Sequence, residues 1–207
     1  MTNQELIRWS QQIQALTQNG MAYTTNPFDQ QRYQQMRKIA EEMMAAATGA
    51  ELNEVISVFE AQAGYATPKM DVRGVIFKEN KILMVKEILD NGNWTLPGGW
   101  VDINEPLSQA AEREVREEAG MIVKARKLAA VYDRNLHGHP PYAFHAYKLF
   151  MLCDLIAEAT PDPLETEDPT FFDADHLPKL SLARVTQEEI QRMFVHLNNP
   201  DLPTEFD

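Results

Sequence analysis

The chain has 207 residues, of which 44% are hydrophobic and 24% charged; this is the composition of a folded globular protein of one or two domains, not of a disordered one. A formal net charge of −12 excludes a basic groove for DNA, yet it allows a small phosphate-bearing substrate whose charge a metal ion would balance. No run approaches the ~20 apolar residues of a membrane span, and the first residues lack the basic and apolar regions of a secretion signal, so a cytoplasmic protein without membrane partners is expected.

The chain opens with a helix signature. Thr2 and Glu5 make a capping box, and Leu6, Trp9, Ile13 and Leu16 follow at helical spacing up to Gly20. A second helix begins at Pro27 or Asp29 and stops at Gly49, with Tyr33, Met36, Ile39, Ala40 and Met43 on its apolar face. A third carries Leu52, Val55, Ile56 and Phe59 and ends near Gly64. Residues 1–64 thus read as an all-helical domain. A unit of this size is marginal alone and needs a covering surface, from the rest of the chain or from a second subunit, which makes it a candidate dimerisation arm. Its four basic residues stand against seven acidic ones, a poor surface for DNA.

After Thr67 and Pro68 the pattern changes. Strands are predicted at 72–77 and 81–85 around a Glu79-Asn80 turn, and Asn91-Gly92 signals a hairpin before Trp94. A glycine loop, Pro97-Gly98-Gly99-Trp100, leads to a helix over 106–119, with Gly120 at its end. Further strands are predicted at 126–132 and 142–155, then a Pro- and acid-rich loop over 158–168 and a short strand at 170–172. The only cysteine, Cys153, falls in an apolar run and reads as a buried strand thiol; alone it can form no internal disulfide, which fits a reducing compartment. Thr186 and Glu189 cap a last helix carrying Ile190, Met193, Phe194 and Leu197, and the tail 198–207 reads as loose. Helices followed by mixed strands and helices give an α/β (α+β) protein: a helical domain 1–64 and a second domain 67–200.

One stretch carries chemistry. Residues 99–121 read Gly99-x5-Glu105-x7-Arg113-Glu114-Val115-x-Glu117-Glu118-x-Gly120-Met121. Helical spacing sets Glu114, Glu117 and Glu118 on one face, where like charges repel, in the half of the helix least suited to acids. Local stability does not account for this; a hard divalent cation taking carboxylate oxygens would.

The run fits GX5EX7REUXEEXGU (U aliphatic) at every specified position, and the chain therefore resembles the Nudix hydrolases. The resemblance spans about residues 69–197 and implies an α/β/α sandwich with a mixed central sheet. It implies Glu117 and Glu118 as principal ligands of Mg2+ or Mn2+, and Glu114 as a further ligand or the orienter of a metal-bound water. The Gly99 carbonyl would complete the site. Arg113 would hold a glutamate in place, and Glu105 would be structural. The implied reaction is hydrolysis of the diphosphate linkage in a nucleoside diphosphate joined to a group X, by in-line attack of water on phosphorus. In many members a further glutamate lies in a later loop; Glu167 is the first choice here and Glu165 the second. Residues 1–64 resemble the helical domain that precedes the Nudix domain in a bacterial subgroup linked to CDP-choline, UDP-linked compounds or ADP-ribose, where such helices can serve in dimerisation.

Between two strands lie Arg134, His137 and His139, which with Arg73 on the first strand are the candidates for substrate contact. Arg73 reads equally as an edge ion pair, and His145 as a structural strand histidine. Trp94 and Trp100 flank the glycine loop and read first as packing residues. Two other readings stand beside the pyrophosphatase: a house-cleaning enzyme for nucleoside triphosphates, and a non-catalytic module that senses a nucleotide sugar. The intact box carboxylates and the acidic helices weigh against the sensor.

Overall fold

The computed structural model describes residues 2–160 and 166–207. Two compact units are present: residues 2–68 with 141–145, and residues 69–140 with 146–207. Among the described residues no helix is long and apolar enough to cross a membrane.

The first unit is helical. Helix α1 (Asn3–Tyr23) opens on the expected capping box, with the Thr2 hydroxyl accepting from the Glu5 N–H at 3.2 Å and the Glu5 carboxylate accepting from the Thr2 N–H at 2.7 Å. It continues through Gly20 instead of stopping there. A Cβ on Gly20 would lie 2.3 Å from the Tyr33 ring, so this glycine is the point where α2 (Pro27–Thr48) comes close. Asn26 caps α2 ahead of Pro27, Gly49 ends it at φ 75°, and α3 (Leu52–Glu60) follows. Ile7, Ala40, Met44, Ala47, Val55 and Phe59 form the core of the unit, joined by Ala143. Gln11 Nε2 ties the 141–145 segment down by donating to the Tyr142 carbonyl at 2.9 Å.

The buried face of α1 is not the one that its apolar spacing predicts. Ile7, Ser10, Gln14 and Thr17 face inward, while Trp9 and Leu16 are 37% and 63% exposed. Small polar side chains allow close helix approach because each finds a carbonyl: Ser10 Oγ donates to Ala40 O at 2.6 Å and Thr17 Oγ1 to Gln14 O at 2.9 Å. On α2, Met36 and Ile39 are likewise exposed.

The second unit contains β1 (Lys69–Lys78), β2 (Lys81–Glu87), β3 (Trp94–Thr95), β4 (Gly98–Trp100), α4 (Leu107–Ala119), β5 (Met121–Asp133), β6 (Ala146–Glu158), β7 (Thr166–Phe172), α5 (Gln187–Asn198) and β8 (Glu205–Phe206). They build an eight-stranded mixed sheet with path order β3-β2-β1-β6-β5-β8, in which β4 also pairs β1 and β7 pairs β2. The β1–β6 and β5–β8 pairs are parallel. Ala110, Ala111, Val115 and Ala119 seat α4 on one face of the sheet, against Val72, Ile76, Leu149 and Met151. Ile190 and Met193 seat α5 on the other, against Val75, Phe150 and Leu152. The result is the expected α/β/α sandwich.

Several boundaries differ from the sequence reading. Strand β6 begins at Ala146, so His145 lies just outside it. Of the loop expected over 158–168, Glu158 ends β6 and residues 166–168 open β7, while residues 161–165 lie outside the described residues. The tail is anchored, not loose: Thr204 Oγ1 donates to Leu128 O at 2.7 Å, Tyr132 Oη donates to Glu205 at 2.6 Å, and β8 adds to β5. A two-residue strand carries no periodicity by which the sequence could announce it. Cys153 is a buried free thiol on β6.

Candidate active site

The glycine loop is built by close backbone approach. Strand β4 runs antiparallel to β1, with Arg73 opposite Gly98 and Val72 opposite Gly99. Gly98 has φ 149°, and a Cβ there would lie 2.0 Å from the Val72 carbonyl oxygen. No other residue fits. At Gly99 a Cβ would stand 2.9 Å from Glu114 Oε1, so the missing side chain leaves the space that the Glu114 carboxyl fills. Helix α4 is drawn close to the sheet by its alanines, and a Cβ on Gly74 would meet Val115 at 2.3 Å. Gly120, in the left-handed region, ends the helix.

Two of the three glutamates turn beneath this loop. Glu118 Oε2 accepts from the Gly98 N–H at 2.9 Å, and Glu114 is buried under Gly99. Desolvation pushes the Glu118 carboxyl up to about 8, with Arg73 and the Gly98 amide opposing the rise. Burial also raises Glu114, against the pull of Arg113. Glu117 is half-exposed and is held outward at 3.3 Å from Arg113 Nη1 and 3.5 Å from Arg116.

Arg113 does more than hold a single glutamate. It grips Glu105 through Nε and Nη2, both at 2.9 Å, and reaches Glu114 at 2.8 Å with Nη1. The Glu105 hydrogen bonds, ahead of the Glu114 charge, hold its guanidinium firmly protonated, and in return they hold Glu105 below the usual carboxylate range. Glu105 thereby fixes the loop before α4 to the helix.

The other predicted residues lie elsewhere. Glu167 stands on β7 and pairs with Lys86 at 3.1 Å; Glu165 falls outside the described residues. Arg73 is not on an edge, since β1 has neighbours on both sides, and its buried side chain donates to Asp71 at 2.9 Å and to Leu96 O at 3.1 Å. Arg134 is also buried, with its guanidinium on the carbonyls of Pro140 (2.9 Å) and Ala183 (3.2 Å) in place of a substrate. His139 is fully covered between Leu182 O at 2.7 Å and Glu189 at 2.9 Å. His137 stacks on Tyr132 with centroids 4.1 Å apart and faces Asp207 at 2.8 Å. Trp94 packs edge-on to Phe172 while Trp100 stays exposed.

Sequence reasoning missed two features. Glu87, at the end of β2, is a buried carboxylate 2.6 Å from Arg184 whose charge reaches Glu118. Lys148, on β6, is fully buried with Nζ 2.5 Å from Asp71. Polar residues inside otherwise apolar strands, Asp71, Arg73 and Lys148, were the available signal.

A Nudix family model matches residues 67–194, and a model described as a UDP-X-like, N-terminal oligomerisation domain matches residues 4–59. A Bacillus subtilis protein whose name presents it as a candidate ADP-ribose pyrophosphatase is 36% identical over 96% of this chain and 95% of its own length. The crystal structure of a UDP-X diphosphatase aligns over 100% of both chains at 30% identity and a TM-score of 0.62. An ADP-ribose pyrophosphatase structure from Streptococcus suis covers 68% of this chain and 100% of its own, at 36% identity and the same TM-score of 0.62. The chain belongs to the Nudix hydrolase family.

Nudix hydrolases generally use divalent metal ions. Among the described residues, no three carboxylate, imidazole or thiol groups are gathered so as to hold one. Glu117 is engaged by two arginines, and one Glu114 oxygen by Arg113. The donor chemistry nevertheless fits: all the acids are hard oxygen ligands, burial raises the Glu114 and Glu118 carboxyls so that a cation would favour their charged form, and Gly99 brings bare backbone against Glu114.

Proposed function

We propose that the chain hydrolyses the diphosphate linkage of a nucleoside diphosphate joined to a group X, of the ADP-ribose or sugar-nucleotide, CDP-choline or UDP-X type, releasing a nucleoside monophosphate and phosphorylated X. The observation that carries this reading is the seating of Glu114 and Glu118 under Gly99 and Gly98, with Arg113 joining Glu105, Glu114 and Glu117. The names of the relatives over the full chain length support it. Glu114, Glu117, Glu118 and the Gly99 carbonyl would hold Mg2+ or Mn2+, which when bound neutralises phosphate oxygens and lowers the pKa of water. Glu118 is oriented by the Gly98 amide and Glu114 by Arg113. Arg113 also keeps the acidic face from repelling itself. Glu167, held by Lys86, is the candidate later glutamate.

We further propose that the protein works as a homodimer in the cytoplasm. The apolar Trp9, Leu16, Met36 and Ile39 lie uncovered on α1 and α2, within the segment that matches an oligomerisation domain. A buried free thiol and no second cysteine suit a reducing compartment.

The test is a panel of ADP-ribose, CDP-choline, UDP-sugars and nucleoside triphosphates with Mg2+ and with Mn2+. One nucleoside diphosphate compound should be turned over well ahead of the triphosphates, and Glu117→Gln should lower that turnover by several orders of magnitude with the fold intact. Turnover of nothing, or an unaffected Glu117→Gln variant, refutes the proposal. Light scattering should report a dimer that becomes monomeric in Leu16→Glu.

A further inference from the structure

Behind the glycine loop lies a group of buried charges that the box does not contain. Arg73 is 5% exposed, on a strand with neighbours on both sides. Its Nε donates to Asp71 Oδ1 at 2.9 Å, and its Nη1 donates to Leu96 O at 3.1 Å and lies 3.5 Å from Thr95 Oγ1. Asp71 is shared, because Lys148 Nζ, fully buried on the adjacent strand, sits 2.5 Å from its other oxygen. One carboxylate cannot neutralise two buried cations.

Besides Asp71, the Glu118 and Glu87 carboxyls act on Arg73 and help hold its guanidinium protonated. Glu87 is already engaged by Arg184 at 2.6 Å. Among the described residues Glu118 has no arginine or lysine in an ion pair, and its fixed contact is the Gly98 amide at 2.9 Å. Gly98 is also where Arg73 passes. The two residues are opposite each other in the β1–β4 ladder, and a Cβ on Gly98 would lie 2.8 Å from Arg73 Cα and 3.0 Å from Arg73 Cδ. Arg73 and Glu118 therefore both meet Gly98, Glu118 at its N–H and Arg73 from the paired strand.

We propose that Arg73, braced by Asp71 and Lys148, is a positioning residue that holds Glu118 against the Gly98 amide, and that it does not contact substrate phosphate. Being pinned to Asp71 and Leu96, the guanidinium is a fixed point charge. It costs no reorganisation when the site fills. The inference rests on the reading of Glu118 as part of the catalytic site.

The test is a double-mutant cycle of Arg73→Gln and Glu118→Gln, with Arg73→Lys as the conservative variant. On the best compound of the panel with Mg2+, Arg73→Gln should lower kcat by about 10- to 100-fold, in the range for removing a partner of a metal ligand, and leave KM within about twofold. Arg73→Lys, which keeps the charge, should recover most of kcat. In thermal melts of the metal-free protein at pH 9, where the Glu118 carboxyl is ionised, Arg73→Gln should lower Tm less than half as much in the Glu118→Gln background as in the wild type. A raised KM with unchanged kcat would make Arg73 a phosphate contact, and equal Tm losses in both backgrounds would show no coupling; either overturns the proposal. If Arg73→Gln does not fold, Arg73→Met, which also removes the charge but adds no amide to be satisfied, carries the same cycle. If the wild type turns over no compound, the functional reading fails while the Tm cycle still decides the coupling.

Discussion

Gly98 and Gly99 are neighbours in sequence, but the structure assigns them different penalties when a methyl group is added. In Gly98→Ala the new Cβ would sit 2.0 Å from Val72 O and 2.8 Å from Arg73 Cα, both main-chain atoms inside a paired strand. At φ 149° the alanine is also in a region that L-residues avoid, at a cost of about 1–3 kcal/mol. Overpacking adds a similar amount, so the loss should be about 3–5 kcal/mol. With ~2–4 °C per kcal/mol, the melting temperature should fall by about 6–20 °C. In Gly99→Ala the obstacle is the end of a flexible side chain, Glu114 Oε1 at 2.9 Å. The carboxyl can swing away, which limits the loss to about 1 kcal/mol or less. Swinging away breaks the 2.8 Å pair with Arg113. Turnover should then drop about 100-fold, as expected of a displacement near 1 Å at a reacting centre. Thermal melts and steady-state rates on the same two preparations separate the effects. Equal melting temperatures for the two variants, or wild-type turnover in Gly99→Ala, would refute the reasoning.

Other outcomes follow from the charges. Because the folded-state pKa of Glu118 is raised to about 8, the metal-free protein binds this proton more tightly when folded; its stability should fall as pH rises from about 4.5 to 8. Glu118→Gln should remove that slope and raise stability at pH 8 by roughly 1–3 kcal/mol, read from urea melts, even as it abolishes turnover. Arg113→Ala should cost about 1–3 kcal/mol by stranding Glu105 and Glu114. Since Arg113 lowers the pKa of Glu105, this difference from wild type should be present above the ordinary carboxylate range and shrink as pH falls through the lowered value. Glu205→Gln, which weakens the contacts with Arg192 and Tyr132, should cost about 1–2 kcal/mol and increase hydrogen exchange in β8 without changing KM.

The sequence was most informative where local rules act alone. Both capping boxes, the left-handed stops at Gly49 and Gly120, and the turn at Glu79 and Asn80 are settled by a few adjacent residues. It misled where tertiary contacts override periodicity. On α1, Ser10 and Thr17 are buried because carbonyls happen to meet them, and Leu16 is left outside. In the site, spacing correctly grouped Glu114, Glu117 and Glu118 on one helix but could not tell that Arg113 and Arg116 draw Glu117 away. The loop candidates Arg134 and His139 looked available because nothing in a linear chain shows that carbonyls of residues 140 and 182–183 would claim them. Asp71, Arg73 and Lys148 assemble only through the parallel β1–β6 register, which sequence does not fix.

Strand β7 has a consequence for how copies of this chain can meet. Among the described residues it pairs with β2 alone, which leaves its outer side open to a further strand. That side is poorly suited to accept one. Glu167 and Asp168 bring like charges, Asp168 turns the backbone at φ 54°, and Pro169 has no N–H to offer. Both ends of the main sheet path, β3 and β8, are two residues long. Edge-to-edge pairing of sheets into fibres is thereby discouraged at β7, β3 and β8.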